Sequence, residues 1–399
     1  MALPYKFDRL EFAGSLGDMG TLLPLAIGMI MINGLDPMGL FFSIGVFFIL
    51  SGIYYGITVP VQPMKVIGAY AIATGMTASQ ISASGFLIGV FLLIIGGTNA
   101  ITLLGKHIPK PVIRGVQVST GTLLMAQGVR FMIVTSKFQV LQQSAEPYLS
   151  LQNIGPLPIG IIIGVAGGIL TLCFLENKKI PAGLLVIFTG LVLGAIIGTH
   201  EGLNRLSLSI NLPKFLPFGF PTNADLTFAL FAVVLPQLPM TIGNAVIANA
   251  DLSKDYFGED SKKVTYRSLT ISMALANFMS FIFGGMPLCH GAGGLAAHYR
   301  FGARTAGSNL MIGSIFILLA VLFGVHALSI IYLIPMSILG VLLVFAGSQL
   351  ALTIIDMKLR KELFVVLVML GITIASNLAA SFIIGIAIAY ALKSDKLKV

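Results

Sequence analysis

Apolar residues fall in blocks between charged or Pro/Asn breaks, at residues 10–32, 38–57, 60–76, 83–104, 109–134, 155–175, 181–198, 222–250, 264–284, 287–299, 306–325, 333–353, 363–376 and 378–392. A helix needs about 20 residues to cross the roughly 30 Å hydrocarbon layer. Most blocks meet that length, whereas the third and the tenth are short. The pattern predicts an all-α polytopic membrane protein with fourteen transmembrane segments, two of which are half-helices.

Composition strengthens this reading. The 399 residues are 56% hydrophobic and 10% charged, with a mean hydropathy of +0.97, far more apolar than a soluble domain with its ordinary quarter of charged residues. Cys173 and Cys289 are the only cysteines, too few for a disulfide framework or a multi-cysteine metal site. The start, "MALPYKFDRLEFAGSLGD", lacks a signal peptide's basic opening and cleavage site and is expected to be retained.

The net charge of +9 raises nucleic acid as a partner, but in a membrane chain the placement of Lys and Arg decides. With fourteen crossings and both termini cytoplasmic, 19 of the 24 Lys and Arg face the cytoplasm. That side includes Lys106, Lys178, Lys179, Lys263, Arg300, Lys396 and Lys398, while Arg130, Lys137, Arg205 and Lys214 fall outside and Lys65 lies within a segment. The bias supports this orientation in a plasma or bacterial inner membrane.

Three features recur at an offset near 220 residues. "LGDMGTLLPL" from Leu16 faces "LPQLPMTIGN" from Leu235, "PVQPMKVIGAYA" from Pro60 faces "PLCHGAGGLAAH" from Pro287, and "IPKPVIRG" from Ile108 faces "IPMSILG" from Ile334. Seven segments per half is an odd number, so residues 222–399 enter the membrane upside down relative to residues 1–205, within a single transporter unit spanning 1–399. This is the inverted-repeat plan of secondary transporters, whose Pro/Gly-interrupted segments point to a site near the bilayer midplane. Two half-helix N-termini meeting there offer partial positive charge and free N–H donors, which suits an anion.

Polar groups within segments are costly and raise functional suspicion. Lys65, beside Gln62 and Pro63, reads as a cationic partner for an anion or as a lysine snorkelling to the interface. Asp18, in "GSLGDMGT", reads as a proton-coupling group, as half of a structural Asp18–Lys65 pair or as a helix cap. Gln237, Thr241 and Asn244 share one face of the eighth segment if that helix is regular; interhelical hydrogen bonding would equally account for them. His290 reads as a donor to an oxyanion or as a cap on backbone groups. Gly291 lets a ligand approach the backbone. Cys289 and His290 supply too few ligands for zinc, so no metal and no other cofactor is expected.

The motifs "EFAGSLGDMGTLLPL", "PVQPMKVIGAYA", "IPKPVIRGVQ", "LPQLPMTIGNAVIA" and "GGMPLCHGAGGLAAHYRFGART" together resemble the molybdate transporter family, a branch related to the SulP sulfate permeases. The resemblance covers essentially the whole chain. It implies the seven-plus-seven fold shared with uracil permeases. Segments one to four and eight to eleven would form a core domain, and five to seven with twelve to fourteen a gate domain. It places substrate between segments three and ten, with Asp18, Gln62, Lys65, Gln237, Cys289 and His290 in the neighbourhood. No STAS domain follows Val399, so regulation through one is not expected.

The leading expectation is therefore secondary transport of a tetrahedral oxyanion, molybdate first and sulfate second, coupled to protons. A nucleobase permease of the same fold would favour an acidic residue in the eighth or tenth segment, where Gln237 and His290 stand instead. A passive anion channel would share the fold without the coupling, and an intramembrane metalloenzyme would need more ligands than Cys289 and His290 supply. No GxxxxGK[ST] loop for ATP is present. A homodimer is an assembly on which the sequence is silent.

Overall fold

The computed structural model of the protein describes residues 5–98, 100, 109–177, 180–200, 203 and 210–393. Lys106, Ile108, Lys178, Lys179, Arg205, Lys396 and Lys398 lie outside the described residues.

Each apolar block carries helix, and local chemistry sets the boundaries. The first block divides into α1 (Arg9–Ser15) and α2 (Met19–Asn33), bent by 44° at the glycine-containing break before Asp18. Asp8 caps α1, its carboxylate accepting from the Leu10 and Glu11 amides at 2.9 Å. Next comes α3 (Pro37–Tyr55), which begins with an Asp36 cap and a proline whose missing N–H costs nothing there. It stops at Gly56, where φ is 77°.

The strand β1 (Gln62–Pro63) and half-helix α4 (Lys65–Thr74) occupy the short third block, followed by α5 (Ala78–Thr98) and α6 (Lys110–Met132). A short α7 (Lys137–Gln142) and a hairpin of β2 (Asn153–Ile154) and β3 (Leu157–Pro158) lead to α8 (Ile159–Phe174) and α9 (Ala182–Ile197). The second half opens with α10, a continuous helix of 39 residues over Asn223–Ser261. Then come α11 (Tyr266–Phe283), β4 (Leu288–Cys289), α12 (Ala292–Phe301), α13 (Ala306–Phe323), α14 (Met336–Ala351), α15 (Arg360–Ala375) and α16 (Leu378–Ala391).

Among the described residues, five helices are long and apolar enough to cross a membrane by length and composition, and the bent α1–α2 pair makes a sixth. Helices α4, α8, α9 and α16 are apolar but shorter.

The condition for a shared face along the eighth segment, a regular helix, is not met. Within α10 the backbone widens to π-helix at Leu230–Val234 and Thr241–Ala248. Pro236 and Pro239 lie between these stretches and withdraw two N–H donors from the ladder. A π-turn rotates all later side chains, which is why Gln237 and Asn244 serve different surroundings below.

Packing pairs distant parts of the chain. α3 lies along α13, α5 along α11, and α6 along α14. Exchange of the two halves would turn the first pair into the second and return the third to itself. Glycines make the contacts close. A Cβ added at Gly340 would lie 2.5 Å from the Gly128 carbonyl oxygen, and one at Gly347 would lie 2.5 Å from that of Gly121. Such small residues let α6 and α14 approach backbone to backbone, where packing rather than hydrophobicity drives association in lipid.

The ends of this pair are tied by acids. After α14, Asp356 binds Lys110 Nζ at 3.1 Å and accepts from Arg114 Nε at 3.0 Å, both on the start of α6. After α6, the buried Glu146 accepts from the Met336 and Ser337 amides at 2.7 and 2.9 Å, at the start of α14. Glu146 lies between α6 and α8, outside the membrane-spanning segments. Burial pushes its carboxyl up to about 7, against the downward pull of those hydrogen bonds.

Candidate functional site

The site is organised by two strands only two residues long. β1 and β4 pair antiparallel, with Gln62 opposite Cys289 and Pro63 opposite Leu288. The Met64 amide donates to the Pro287 carbonyl at 2.9 Å. This pairing satisfies extended backbone buried inside the protein, and it brings together the starts of α4 and α12.

Those two starts are finished differently. At α4, the Gln237 side-chain oxygen Oε1 accepts from the Val66 and Ile67 amides at 3.0 and 3.4 Å. Gln237 is itself held by Nε2 donating to Thr241 Oγ1 at 3.0 Å. At α12 the N-cap is Gly291, with no side-chain cap. The Gly294 and Leu295 amides turn back to the Gly291 carbonyl, while the Ala292 and Gly293 amides have no partner among the described residues. A Cβ on Gly293 would lie 3.9 Å from Lys65 Nζ, so the lysine of one half-helix faces the bare first turn of the other.

A cavity of about 340 Å³ opens at this point. Asp18, Gln62, Lys65, Asn244 and Gly293 line one side, and Gln117, Gln349 and Thr353, from α6 and α14 with its 3₁₀ continuation, line the other. Asp18 occupies the N-cap position of α2 but makes no cap hydrogen bond with its side chain, and no ion pair joins it to Lys65 among the described residues. Asp18 Oδ2 and Gln62 Oε1 are buried without a hydrogen-bond partner. Buried polar atoms left unpaired are expensive, and both of these belong to residues that line the cavity. A Cβ at Gly294 would sit 2.9 Å from both Asp18 Oδ2 and Gln62 Nε2, which explains the glycine there.

The opposite wall was not legible as a site from the sequence. Gln117 Oε1 accepts from Arg114 Nη1 at 2.7 Å and from Thr353 Oγ1 at 3.1 Å. A polar side chain in an apolar segment was the one local signal for Gln117, Gln349 and Thr353.

Of the residues singled out from the sequence, Asp18, Gln62, Lys65 and Asn244 meet at the cavity. Gln237 and Thr241 stand behind α4, bonded to it and to each other. Gly291 packs against the Gln62 side chain. Cys289 and His290 do not line the cavity. Cys289 Sγ lies 3.7 Å from the Pro63 carbonyl oxygen. His290 Nδ1 donates to the Pro60 carbonyl at 2.9 Å, which leaves Nε2 as the acceptor facing Ser272 Oγ at 3.0 Å. No group of three or more His, Cys, Asp or Glu side chains is placed to hold a metal among the described residues.

Comparison with known proteins gives this arrangement its family. A profile described as molybdate transporter of the MFS superfamily matches residues 10–124 and 229–350. The chain belongs to the molybdate transporter family. It is a family of transporters, not enzymes. Molybdate transporter 2 of Arabidopsis thaliana is 31% identical over 93% of this chain and 84% of its own length. Molybdate transporter 1 of Chlamydomonas reinhardtii is 27% identical over 94% and 90%.

Two solved structures share the fold of this family member at low identity. The transmembrane domain of a cyanobacterium bicarbonate transporter, BicA, superposes with a TM-score of 0.64 at 14% identity, covering 96% of each chain. SLC26A9 superposes with a TM-score of 0.69 at 13% identity, covering 96% of this chain and 65% of that one. The protein is thus an all-α polytopic integral membrane protein of this fold.

Proposed function

We propose that the protein is a secondary transporter of a tetrahedral oxyanion, with molybdate the preferred substrate and sulfate the second, bound in the cavity between α4 and α12. The observation that carries this reading is the pairing of Lys65 with the unpartnered Ala292 and Gly293 amides across one cavity. A dianion there meets one full positive charge and the donor end of a ten-residue helix, the two ingredients of anion recognition. Gln62, Asn244, Gln117 and Thr353 add neutral polar groups around it. Family membership and the names of the relatives favour molybdate over other oxyanions.

The architecture proposed with it is fourteen segments in two inverted repeats of seven, residues 1–205 and 222–399, with both termini in the cytoplasm. The exchange symmetry of the helix pairs and the antiparallel β1–β4 joint support this plan. The cavity then lies where a core, carrying Asp18, Lys65 and Gly293, meets a gate, carrying Gln117, Gln349 and Thr353, and transport follows from displacement of one against the other. Asp18 is the coupling group in this scheme: its unpartnered Oδ2 beside the anion site gains from a proton when a dianion arrives.

Calorimetric titration of the purified protein with molybdate and with sulfate, for wild type and Lys65→Ala, tests the substrate and the site together. Uptake into proteoliposomes with and without a proton gradient, for wild type and Asp18→Asn, tests the coupling. Absence of binding by either oxyanion removes the reading, and gradient-independent uptake would make the protein a passive carrier or channel.

A further inference from the structure

A second cavity, of about 680 Å³, lies on the outer face of the protein between α3 and α11, away from the proposed anion site. Its walls are Phe47, Leu50, Tyr54, Ile271, Leu275 and Met279. Leu50, Tyr54 and Leu275 are each more than half exposed, at 56%, 52% and 59%, so the cavity is a groove open to the surrounding bilayer. At its mouth stands Lys263, whose Nζ lies 5.8 Å from the centroid of the Tyr54 ring. Among the described residues no carboxylate pairs with Lys263, whereas its neighbour Lys262 is bridged to Glu259 at 2.7 Å.

An apolar groove with one unpaired cation at its rim is complementary to an amphipath with an anionic head. The apolar walls take hydrocarbon, and the ammonium takes a phosphate near the membrane surface. We infer that this groove binds an acyl chain of an anionic phospholipid of the surrounding leaflet, with the lipid phosphate paired to Lys263. The inference rests on membrane residence and not on the identity of the transported anion.

The floor of the groove connects to the strand joint. Tyr55 and Ser272 line it, their hydroxyls 2.9 Å apart, and Ser272 Oγ continues to His290 Nε2 at 3.0 Å and from His290 Nδ1 to the Pro60 carbonyl at 2.9 Å. Phe47, another lining residue, packs its ring 4.6 Å from that of His290. A lipid chain in the groove would therefore pack against Phe47, Tyr55 and Ser272, the side chains that surround the His290 ring.

The test is native mass spectrometry of the full chain, delipidated and then incubated with phosphatidylglycerol or phosphatidylcholine of the same acyl composition. Wild type is expected to retain phosphatidylglycerol about fivefold better, the worth of one lysine near an anionic headgroup. Lys263→Gln should equalise the two lipids, and Leu275→Trp, which fills the groove from an exposed position, should lower retention of both. Equal retention of the two lipids by wild type marks annular lipid only and overturns the inference. A phosphatidylglycerol preference that survives Lys263→Gln overturns it as well.

Discussion

Two helix starts in the first half of the chain and two in the second occupy matching places, yet each pair is finished by unlike chemistry. At the strand joint, α4 has its amides covered by Gln237 and contributes a cation, while α12 has no cation in its first turn and leaves its amides bare. In the α6–α14 pair, α14 is capped on its backbone by buried Glu146, while α6 is met through the Lys110 and Arg114 side chains by partly exposed Asp356. In the proposed site one half of the chain would supply charge and the other donors, so the site need not be symmetric to bind a symmetric anion.

The sharpest way to break this contrast is Lys65→Ala, which leaves the α12 amides to bind alone. Molybdate affinity should fall about a hundredfold, the scale of truncating one partner of a hydrogen-bonded charge pair, as read by calorimetry; a loss below about threefold would place the charge elsewhere. Next in size is the clamp on α14. Glu146 has a folded pKa raised from 4.5 to about 7. Its stabilising contribution is complete below the unfolded value and is lost as pH rises through the folded one. The melting temperature of wild type should therefore drop between about pH 5 and pH 8 relative to Glu146→Gln, which has no such titration. Parallel profiles would remove Glu146 as a titrating group.

Gln237→Leu uncovers the α4 amides. Stability should fall by about 1 kcal/mol, a typical cap contribution, measured as a shift in thermal unfolding, with sulfate and molybdate affinity changed less than by Lys65→Ala. An affinity loss equal to that of Lys65→Ala would show that Gln237 contacts the anion itself. The smallest effect is expected for Gly293→Ala. Its Cβ meets only Lys65 Nζ, at an ordinary contact distance of 3.9 Å, so folding should not change, while binding should weaken about three- to tenfold because the added methyl takes space between the lysine and the α12 amides. Unchanged affinity would move the anion away from the α12 start.

How much of this could be read from the chain depends on the range of the signal. The helical blocks, the half-helix character of residues 60–76 and 287–299, and Lys65 with Asp18 as polar residues in apolar surroundings are local features that the order of residues displays; the pairing of the two short strands is not. The wall formed by Gln117, Gln349 and Thr353 depends on which distant helices lie side by side, so the local signal, a polar side chain in an apolar segment, does not bring the three together. His290 illustrates the same point. Its place opening the tenth block suggests ligand contact, but its ring is turned toward Ser272 and Pro60, partners separated from it by 18 and 230 residues. Gln237 depends on a different effect: only along a regular helix does its spacing give it a face shared with Asn244, and the π-turn at Thr241–Ala248 separates them.

The joint between β1 and β4 also has a mechanical meaning. Because Gln62 is paired in register with Cys289 and the Met64 amide is hydrogen-bonded to Pro287, the two half-helices are stitched across the repeat boundary and form a single carriage. In the proposed displacement of core against gate, Lys65 and the bare amides of α12 would travel together and the cargo would keep its bed. Release would then come from the changing opposite wall and the arrival of water, not from the cradle pulling apart.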